Sequence, residues 1–282
     1  MLGRQRSGSV LCPSCGKLVG VADERCLNCG RRNPGMWGFT AAFGRLGRDM
    51  GFVQAVIGGC ILFYILMLTV DPQHIGGSGL FNLLSPSPES LLRFGASGAI
   101  PVFLLHRWWT LLSAGWLHGS LLHIGLNLYW VRILAPEVAE LYGAGRMVII
   151  YTASSVAGFL LSSALGLIGL GGALTVGASA PLLGFLGALV YYGRRAGSRT
   201  VGNWAWSYAL FMIVLGFLPI GGVRIDNAAH IGGFAGGYLV GLLLDPLRPE
   251  RGDHLVAAVV CLVATALSVV ASLVVPVPAF GR

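Results

Sequence analysis

The sequence predicts an all-α polytopic membrane protein with a small cysteine-rich module ahead of its first transmembrane helix. Hydrophobic residues make up 55% of the 282 residues and charged residues only 11%, whereas about a quarter of the residues of a soluble domain are charged. Several apolar runs reach the roughly 20 helical residues that are needed to cross the hydrocarbon core of a bilayer. Four cysteines in two close pairs precede the first of these runs. The composition therefore excludes a soluble globular fold for most of the chain.

Residues 1–50 form a polar, basic and Gly-rich unit of their own. Within it, about residues 10–34 contain the stretch CPSCGKLVGVADERCLNC, in which two C-x2-C pairs are separated by ten residues. Four thiolates at this spacing suit tetrahedral zinc, because each C-x2-C turn directs both sulfurs to one point. We expect a structural zinc ion in a cytoplasmic module that resembles a zinc ribbon; two local disulfides or a redox pair are the alternatives. The expected ligands are Cys12, Cys15, Cys26 and Cys29.

Seven apolar segments are predicted to cross the membrane as helices. The first begins near residue 52, too far from the N-terminus to be a cleaved signal peptide. A proline-containing loop over residues 71–112 leads into the aromatic stretch FLLHRWWTLLSAGW, which suits the membrane interface. The predicted spans are 52–70, 115–134, 147–169, 178–193, 203–220, 227–244 and 255–275.

The basic residues predict the orientation of these spans. With the N-terminus in the cytoplasm, fifteen of the 19 Lys and Arg residues fall in cytoplasmic segments and four in external ones. Since cytoplasmic loops carry the excess of basic residues, we expect a multi-pass protein of the cell membrane with its N-terminus inside and its C-terminus outside. This topology accounts for the net charge of +8, and we expect no nucleic-acid partner.

A few strongly polar residues interrupt the predicted spans, and such residues are functional candidates because they are costly within a bilayer. The second span contains His118, His123 and Asn127. The fourth begins near Ser179, and the sixth carries His230 about one turn from its start. At a rise of about 1.5 Å per residue, all of these side chains fall in the outer half of the bilayer, although they come from three different helices.

A serine and a histidine at matching depth suggest a nucleophile and its general base. In this interpretation, His230 removes the hydroxyl proton as Ser179 attacks a carbonyl carbon. His123 and Asn127 are four residues apart and share one helical face, so together with the Ser179 backbone N–H they are expected to donate hydrogen bonds to the oxyanion. Asp226, four residues before His230, is expected to be solvated, which makes the pair a dyad.

Each of these residues also has a purely structural interpretation. A membrane serine commonly bonds to its own helix, a lone histidine is commonly a packed core group, and an Asn such as Asn127 commonly bridges helices. We favour a structural role for His118, which is turned away from the face that carries His123. Ser97, in the stretch FGASGAIP, lies in the external loop without a matching histidine and is interpreted as part of a turn.

Three motifs, in this order, resemble the rhomboid family of intramembrane serine proteases. They are RWWTLLSAGWLHGSLLHIGLNLYWV over the loop and second span, GASAPLLGFLGAL at the fourth span, and DNAAHIGGFAGG at the sixth. The resemblance covers about residues 52–245 and implies a rhomboid-like six-helix bundle over 51–245. The linker and C-terminal transmembrane helix of 246–282, like the N-terminal module, would then be additions to that core.

The resemblance also implies a function. Ser179 is then the nucleophile, His230 the base, and His123 and Asn127 line the oxyanion site, and no cofactor takes part in catalysis. The expected substrates are transmembrane proteins, cut within or near their membrane segments at a site that opens to the outer side of the bilayer. The sequence departs from the family at Ala180, where Gly is usual. Alanine keeps the backbone N–H, and a helical position tolerates it. If the glycine of the family serves close packing instead, the added methyl group is expected to cost about 1–3 kcal/mol by overpacking.

Two other functions compete with an intramembrane protease. A catalytically inactive rhomboid-like protein would bind membrane clients without cutting them, but loss of the serine or the histidine would be expected in that case. An unrelated seven-span receptor or transporter is the second alternative. Against a transporter, the predicted spans contain no carboxylate and no pair of broken helices in matching halves.

Overall fold

A computed structural model of the protein describes residues 4–40, 49–77, 79–218 and 225–277. Within these ranges the chain forms seven helices of 17 to 23 residues and a two-stranded sheet near the N-terminus. The helices are α1 (Phe52–Val70), α2 (Leu121–Tyr142), α3 (Ala144–Gly166), α4 (Ser179–Arg195), α5 (Arg199–Leu215), α6 (Asn227–Leu243) and α7 (Gly252–Val274). The strands β1 (Ser9–Leu11) and β2 (Leu18–Gly20) pair antiparallel.

Among the described helices, α1, α3 and α7 are long and apolar enough to cross a membrane by length and composition. The predicted first span coincides with α1. In contrast, α4, α5 and α6 have 17 residues each, and α2 contains Arg132, Glu137 and Glu140. Crossing of the bilayer by these four helices stays a prediction. A length of at least about 25 Å, at 1.5 Å per residue, permits it.

α2 begins later than the sequence suggested, and the predicted start at residue 115 is wrong. Ser120 has an extended backbone, and its hydroxyl accepts a hydrogen bond from His123 N (3.3 Å), which is the geometry of a helix N-cap. Before it, Ala114–Trp116 forms a separate 3-10 turn. His118 therefore precedes α2 instead of lying inside a span. Hydrophobicity conceals this break, because an apolar run carries no information on where a helix is capped.

α4 is the central helix of the bundle. Twelve of its 17 residues are buried, and it contacts α2, α3, α5 and α6. Glycines of α6 approach it closely: a Cβ built at Gly233 would overlap the carbonyl oxygen of Ala180, and one at Gly237 would overlap that of Gly184. Small residues allow this backbone approach between membrane helices, and it brings the first turns of α4 and α6 together.

The segment between α1 and α2, called here the outer loop (residues 71–120), is folded into short helical turns. The longest of them is Pro88–Phe94. The loop buries the side chain of Arg107, which is 1% exposed. α7 packs against α3 and against two of these turns, Pro88–Phe94 and Thr110–Ser113. The end of α7 therefore lies against the outer loop.

The N-terminal module contacts the bundle near the start of α7. Arg31 of the module and Glu250 of the α6–α7 linker are both buried, and Arg31 Nη1 lies 3.8 Å from Glu250 Oε2. The other carboxylate oxygen of Glu250 accepts a hydrogen bond from Arg146 N in the first turn of α3 (2.9 Å). One carboxylate thus joins the module to the N-terminus of α3.

Candidate active site and cysteine cluster

Ser179 and His230, which the sequence placed at matching depth, lie in hydrogen-bond contact. Ser179 is the first residue of α4 and is half-buried, while His230 lies in the first turn of α6 and is 3% exposed. His230 Nε2 is 2.9 Å from Ser179 Oγ. His230 Nδ1 is buried and has no hydrogen-bond partner within the described part of the chain. The geometry is that of a serine–histidine dyad without an orienting carboxylate.

His123 presents one particular ring nitrogen to this dyad. Its Nδ1 accepts a hydrogen bond from Gly119 N (3.3 Å), and a neutral imidazole that accepts at Nδ1 carries its proton on Nε2. Nε2 lies against Gly177, since a Cβ built at Gly177 would be 2.7 Å from it and 3.6 Å from Ser179 Oγ. The N–H of His123 is therefore directed to the region in front of the serine hydroxyl.

Asn127, one turn further along α2, is 5% exposed and tied to its own helix. Its Nδ2 donates a hydrogen bond to the carbonyl oxygen of His123 (2.9 Å). A carboxamide nitrogen carries two hydrogens, so this bond fixes the side chain and leaves one N–H for another acceptor.

The start of α4 provides backbone donors at the same place. The first four N–H groups of a helix have no intrahelical partner, and in α4 these include the N–H groups of Ser179 and Ala180. Pro181 occupies the third helical position, where the N–H that it lacks would have had no intrahelical partner either. The site thus combines a serine hydroxyl, an imidazole and several N–H donors around the first turn of α4.

Comparison with known proteins gives the family of this arrangement. The Rhomboid domain model matches residues 105–246, which include all the polar side chains just described. The chain belongs to the rhomboid family.

The chain is 34% identical over 206 residues to RHOMBOID-like protein 5 of Arabidopsis thaliana, covering 68% of this chain and 60% of that protein. It is also 32% identical over 179 residues to Rhomboid protease GluP of Bacillus subtilis, covering 62% of this chain and 34% of GluP. A third relative is Rhomboid-like protease 1 of Toxoplasma gondii, 29% identical over 188 residues, with 64% of this chain and 59% of that protein covered. The chain therefore spans less than two thirds of the length of these relatives.

Ala180, the departure from the usual rhomboid motif, fits its surroundings. The residue is helical and 1% exposed. Its methyl group packs against Gly158 of α3, where an added Cβ would lie 2.9 Å from the Cβ of Ala180. A glycine on the facing helix thus makes room for the methyl group, and the backbone N–H of residue 180 is retained.

Ser97, in the stretch FGASGAIP, supports the site through its backbone. Ser97 N donates to Thr175 O (3.0 Å) and Thr175 N donates to Ser97 O (2.7 Å), which joins the outer loop to the chain that leads into α4. The Ser97 side chain is buried and its Oγ has no partner among the described residues. Sequence reasoning missed this pairing. Gly95 and Gly98, which have positive φ in the structure, mark a turn at Ser97 but do not indicate its partner.

The expectation that Asp226 is solvated is wrong. Asp226 is half-buried at the N-cap of α6, where Oδ1 accepts from Ala229 N (2.9 Å) and Oδ2 accepts from Ser162 Oγ of α3. It therefore holds the start of α6 against α3 and does not bond to the imidazole of His230.

His118 is fully buried, its ring 5.2 Å from that of His123, and neither of its ring nitrogens has a partner within the described residues.

The four N-terminal cysteines, which lie outside the rhomboid match, form a compact cluster. Their sulfur atoms all lie within 4.8 Å of one another, and two Sγ–Sγ pairs, Cys12–Cys29 and Cys15–Cys26, are each 3.7 Å apart. Tetrahedral zinc with bonds of about 2.3 Å requires sulfur separations of about 3.8 Å. The cluster can therefore hold a metal ion.

Two equivalent turns build this cluster. Gly16 N donates to Cys12 O and Gly30 N donates to Cys26 O, both at 2.8 Å, and both glycines have positive φ. The backbone N–H of Lys17 bonds to Cys15 and lowers the pKa of its thiol to about 6. Burial, in contrast, raises the pKa of the Cys29 thiol to about 12. The C-x2-C spacing predicted that the four sulfurs would meet, and the four sulfur atoms do lie within 4.8 Å of one another.

Proposed function

We propose that this protein is an intramembrane serine endopeptidase that cleaves transmembrane or membrane-proximal segments of other proteins. The observation that carries the proposal is the 2.9 Å contact between Ser179 Oγ and His230 Nε2 at the first turn of α4 within a rhomboid domain. Two relatives are named proteases, GluP and the Toxoplasma protein, which supports it.

In the first step, His230 Nε2 accepts the hydroxyl proton while Ser179 Oγ attacks the carbonyl carbon of the scissile peptide bond. The tetrahedral intermediate then collapses to an acyl-enzyme, and the proton on His230 passes to the leaving amine. A water molecule, deprotonated by the same imidazole, hydrolyses the ester and restores the serine. No described carboxylate bonds to His230 Nδ1, so this ring is oriented by burial, packing and the contact of Nε2 with Ser179 Oγ.

The oxyanion of the intermediate would be stabilised by three donors around the hydroxyl. These are His123 Nε2–H, the free N–H of the Asn127 carboxamide and the backbone N–H of Ser179. Fixed donors of this kind contribute to the rate because they bind charge that develops only during the reaction; loss of one typically lowers kcat by about 10²–10³-fold.

We further propose that α1–α7 all cross the cell membrane, with the N-terminal module in the cytoplasm and the active site open to the outer side. The excess of basic residues in the segments assigned to the cytoplasm supports this orientation. The contacts of α7 agree with it, since its start lies near the module through Glu250 and its end lies against the outer loop. In the module, residues 10–34, a structural zinc ion is the proposed occupant of the cysteine cluster.

The test compares wild type, Ser179→Ala and Ser97→Ala in detergent. Each is assayed for labelling by a fluorophosphonate probe and for cleavage of a generic transmembrane substrate. We expect both activities to vanish in Ser179→Ala and to persist in Ser97→Ala, whose hydroxyl makes no hydrogen bond to the described residues. A well-folded wild type that is neither labelled nor active on several substrates would instead support a client-binding protein.

A further inference from the structure

Ser272, near the end of α7, receives two hydrogen bonds from the outer loop. Arg107 Nη2 donates to the carbonyl oxygen of Ser272 (2.7 Å), and Trp109 Nε1 donates to its hydroxyl (3.0 Å). Ser272 is 1% exposed and Arg107 is also 1% exposed, so these bonds are shielded from solvent. Both donors lie more than 160 residues before Ser272 in the sequence.

The two acceptors of Arg107 explain why a charged side chain is buried here. The last carbonyl groups of a helix have no intrahelical partner, and they form the negative end of its dipole. Ser272 is in the last turn of α7, and Leu92 is in the last turn of Pro88–Phe94. Arg107 donates Nη1 to Leu92 O (2.6 Å) and Nη2 to Ser272 O, so one guanidinium caps both helices and holds their ends together.

From Trp109 the chain runs directly to the active site. The short helix Thr110–Ser113 follows it, and the carbonyl oxygen of the next residue, Ala114, accepts a hydrogen bond from Gly177 N (3.0 Å). Gly177 lies two residues before Ser179, and a Cβ built on Gly177 would lie 2.7 Å from His123 Nε2. A continuous set of short, buried contacts therefore leads from the end of α7 to the nucleophile.

We propose that α7 is a positioning element of the active site and that Ser272 is its principal contact. By fixing Arg107 and Trp109, Ser272 sets the position of residues 110–114, which in turn hold Gly177 and thus place Ser179 relative to His123. α7 lies beyond the residues that the Rhomboid domain model matches, so this contact is an addition to that domain. The inference rests on the proposed function, because its main readout is the reactivity of Ser179.

The first test measures the rate of fluorophosphonate labelling, and kcat and KM for a transmembrane substrate, in Ser272→Ala, Trp109→Phe and the double variant. Loss of one hydrogen bond that orders the site should lower the labelling rate and kcat about three- to ten-fold without a change in KM. The double variant should be no worse than Ser272→Ala alone, because Trp109→Phe removes a bond that Ser272→Ala has already removed. Ser272→Ala also loses the hydrogen bond from its hydroxyl to Ser268 O within α7 (2.9 Å). Val270→Ala, on the same helix but 55% exposed, serves as the matched control and should behave as wild type.

The second test does not depend on enzymatic activity. Amide hydrogen exchange in residues 110–116 and 172–178 should be faster in Ser272→Ala and in Trp109→Phe than in wild type or Val270→Ala. Unchanged exchange in both segments overturns the proposal, whatever the labelling rates. If the wild type is not labelled but exchange responds as expected, the proposed protease activity fails and the link from α7 to Gly177 stands. Should Ser272→Ala fail to fold, Trp109→Phe, which leaves α7 intact, decides the question.

Discussion

Gly177 is the residue on which the geometry around Ser179 depends most directly. Its φ of +131° is accessible to glycine and rarely to other residues, and an added Cβ would lie 2.7 Å from His123 Nε2. The same residue donates its N–H to Ala114. One position thus joins the outer loop, His123 and the segment that carries Ser179.

We predict that Gly177→Ala lowers the fluorophosphonate labelling rate on the order of 100-fold, since displacement of catalytic groups by about 1 Å can cost that much. The matched control is Gly169→Ala. Gly169 also has a positive φ, of +78°, but an added Cβ would meet no atom within 4 Å. Gly169→Ala should therefore lose about 1–2 kcal/mol of stability through backbone strain and keep its labelling rate. If the labelling rate fell equally in the two variants, backbone strain and not the contact with His123 would explain the loss.

For individual residues, the sequence predicted which side chains form the site better than it predicted their hydrogen bonds. Depth along three helices was enough to bring Ser179, His230 and His123 into one region, because helical rise is regular. The role of Asp226 could not be predicted, because its partner Ser162 lies 64 residues earlier and on another helix. Only the fold decides that its carboxylate is paired and not solvated.

Among the elements, the cysteine module and the outer loop show opposite degrees of predictability. The module is built from local turns, so spacing alone predicted that four sulfurs meet. The outer loop is organised by Arg107, whose acceptors are Leu92 and Ser272. Ser272 lies 165 residues away, and no local pattern could reveal that contact or the position of α7 beside the loop.

For the module, we predict one bound zinc ion per chain, measured by elemental analysis of the purified protein. Cys29→Ser should lower the zinc content, because it removes one of four ligands that meet within 4.8 Å. Cys60→Ala is the control, since Cys60 is a free cysteine buried in α1 away from the cluster. A metal-free protein whose four cysteines resist alkylation until a reductant is added would contradict zinc and support two disulfides.

In the whole molecule, Glu250 joins three separate regions: the module through Arg31, the start of α3 through Arg146 N, and the linker that leads into α7. Its carboxylate is 7% exposed. Removal of one partner of a buried ion pair leaves the other charge uncompensated, which commonly costs about 3–5 kcal/mol.

We predict that Glu250→Ala lowers the Tm of the detergent-solubilised protein clearly more than Asp253→Ala does. Asp253 also pairs with an arginine, Arg251 (2.6 Å), but both side chains are more than half exposed. Exposed pairs of this kind contribute about 0–1 kcal/mol. Equal shifts in Tm for the two variants would mean that the module is not held to the bundle through Glu250.

The contact between Arg107 and Ser272 also has a consequence for biosynthesis. Arg107 is translated 165 residues before its acceptor in α7, and at about 5–20 residues per second the ribosome needs about 10–30 s to make the intervening chain. In the proposed orientation, the outer loop is outside the cytoplasm during this interval but lacks one of the two carbonyl groups that fix its arginine. A nascent chain that already contains both Ser179 and His230 would thus acquire the full set of contacts around its outer loop only after α7 has been made.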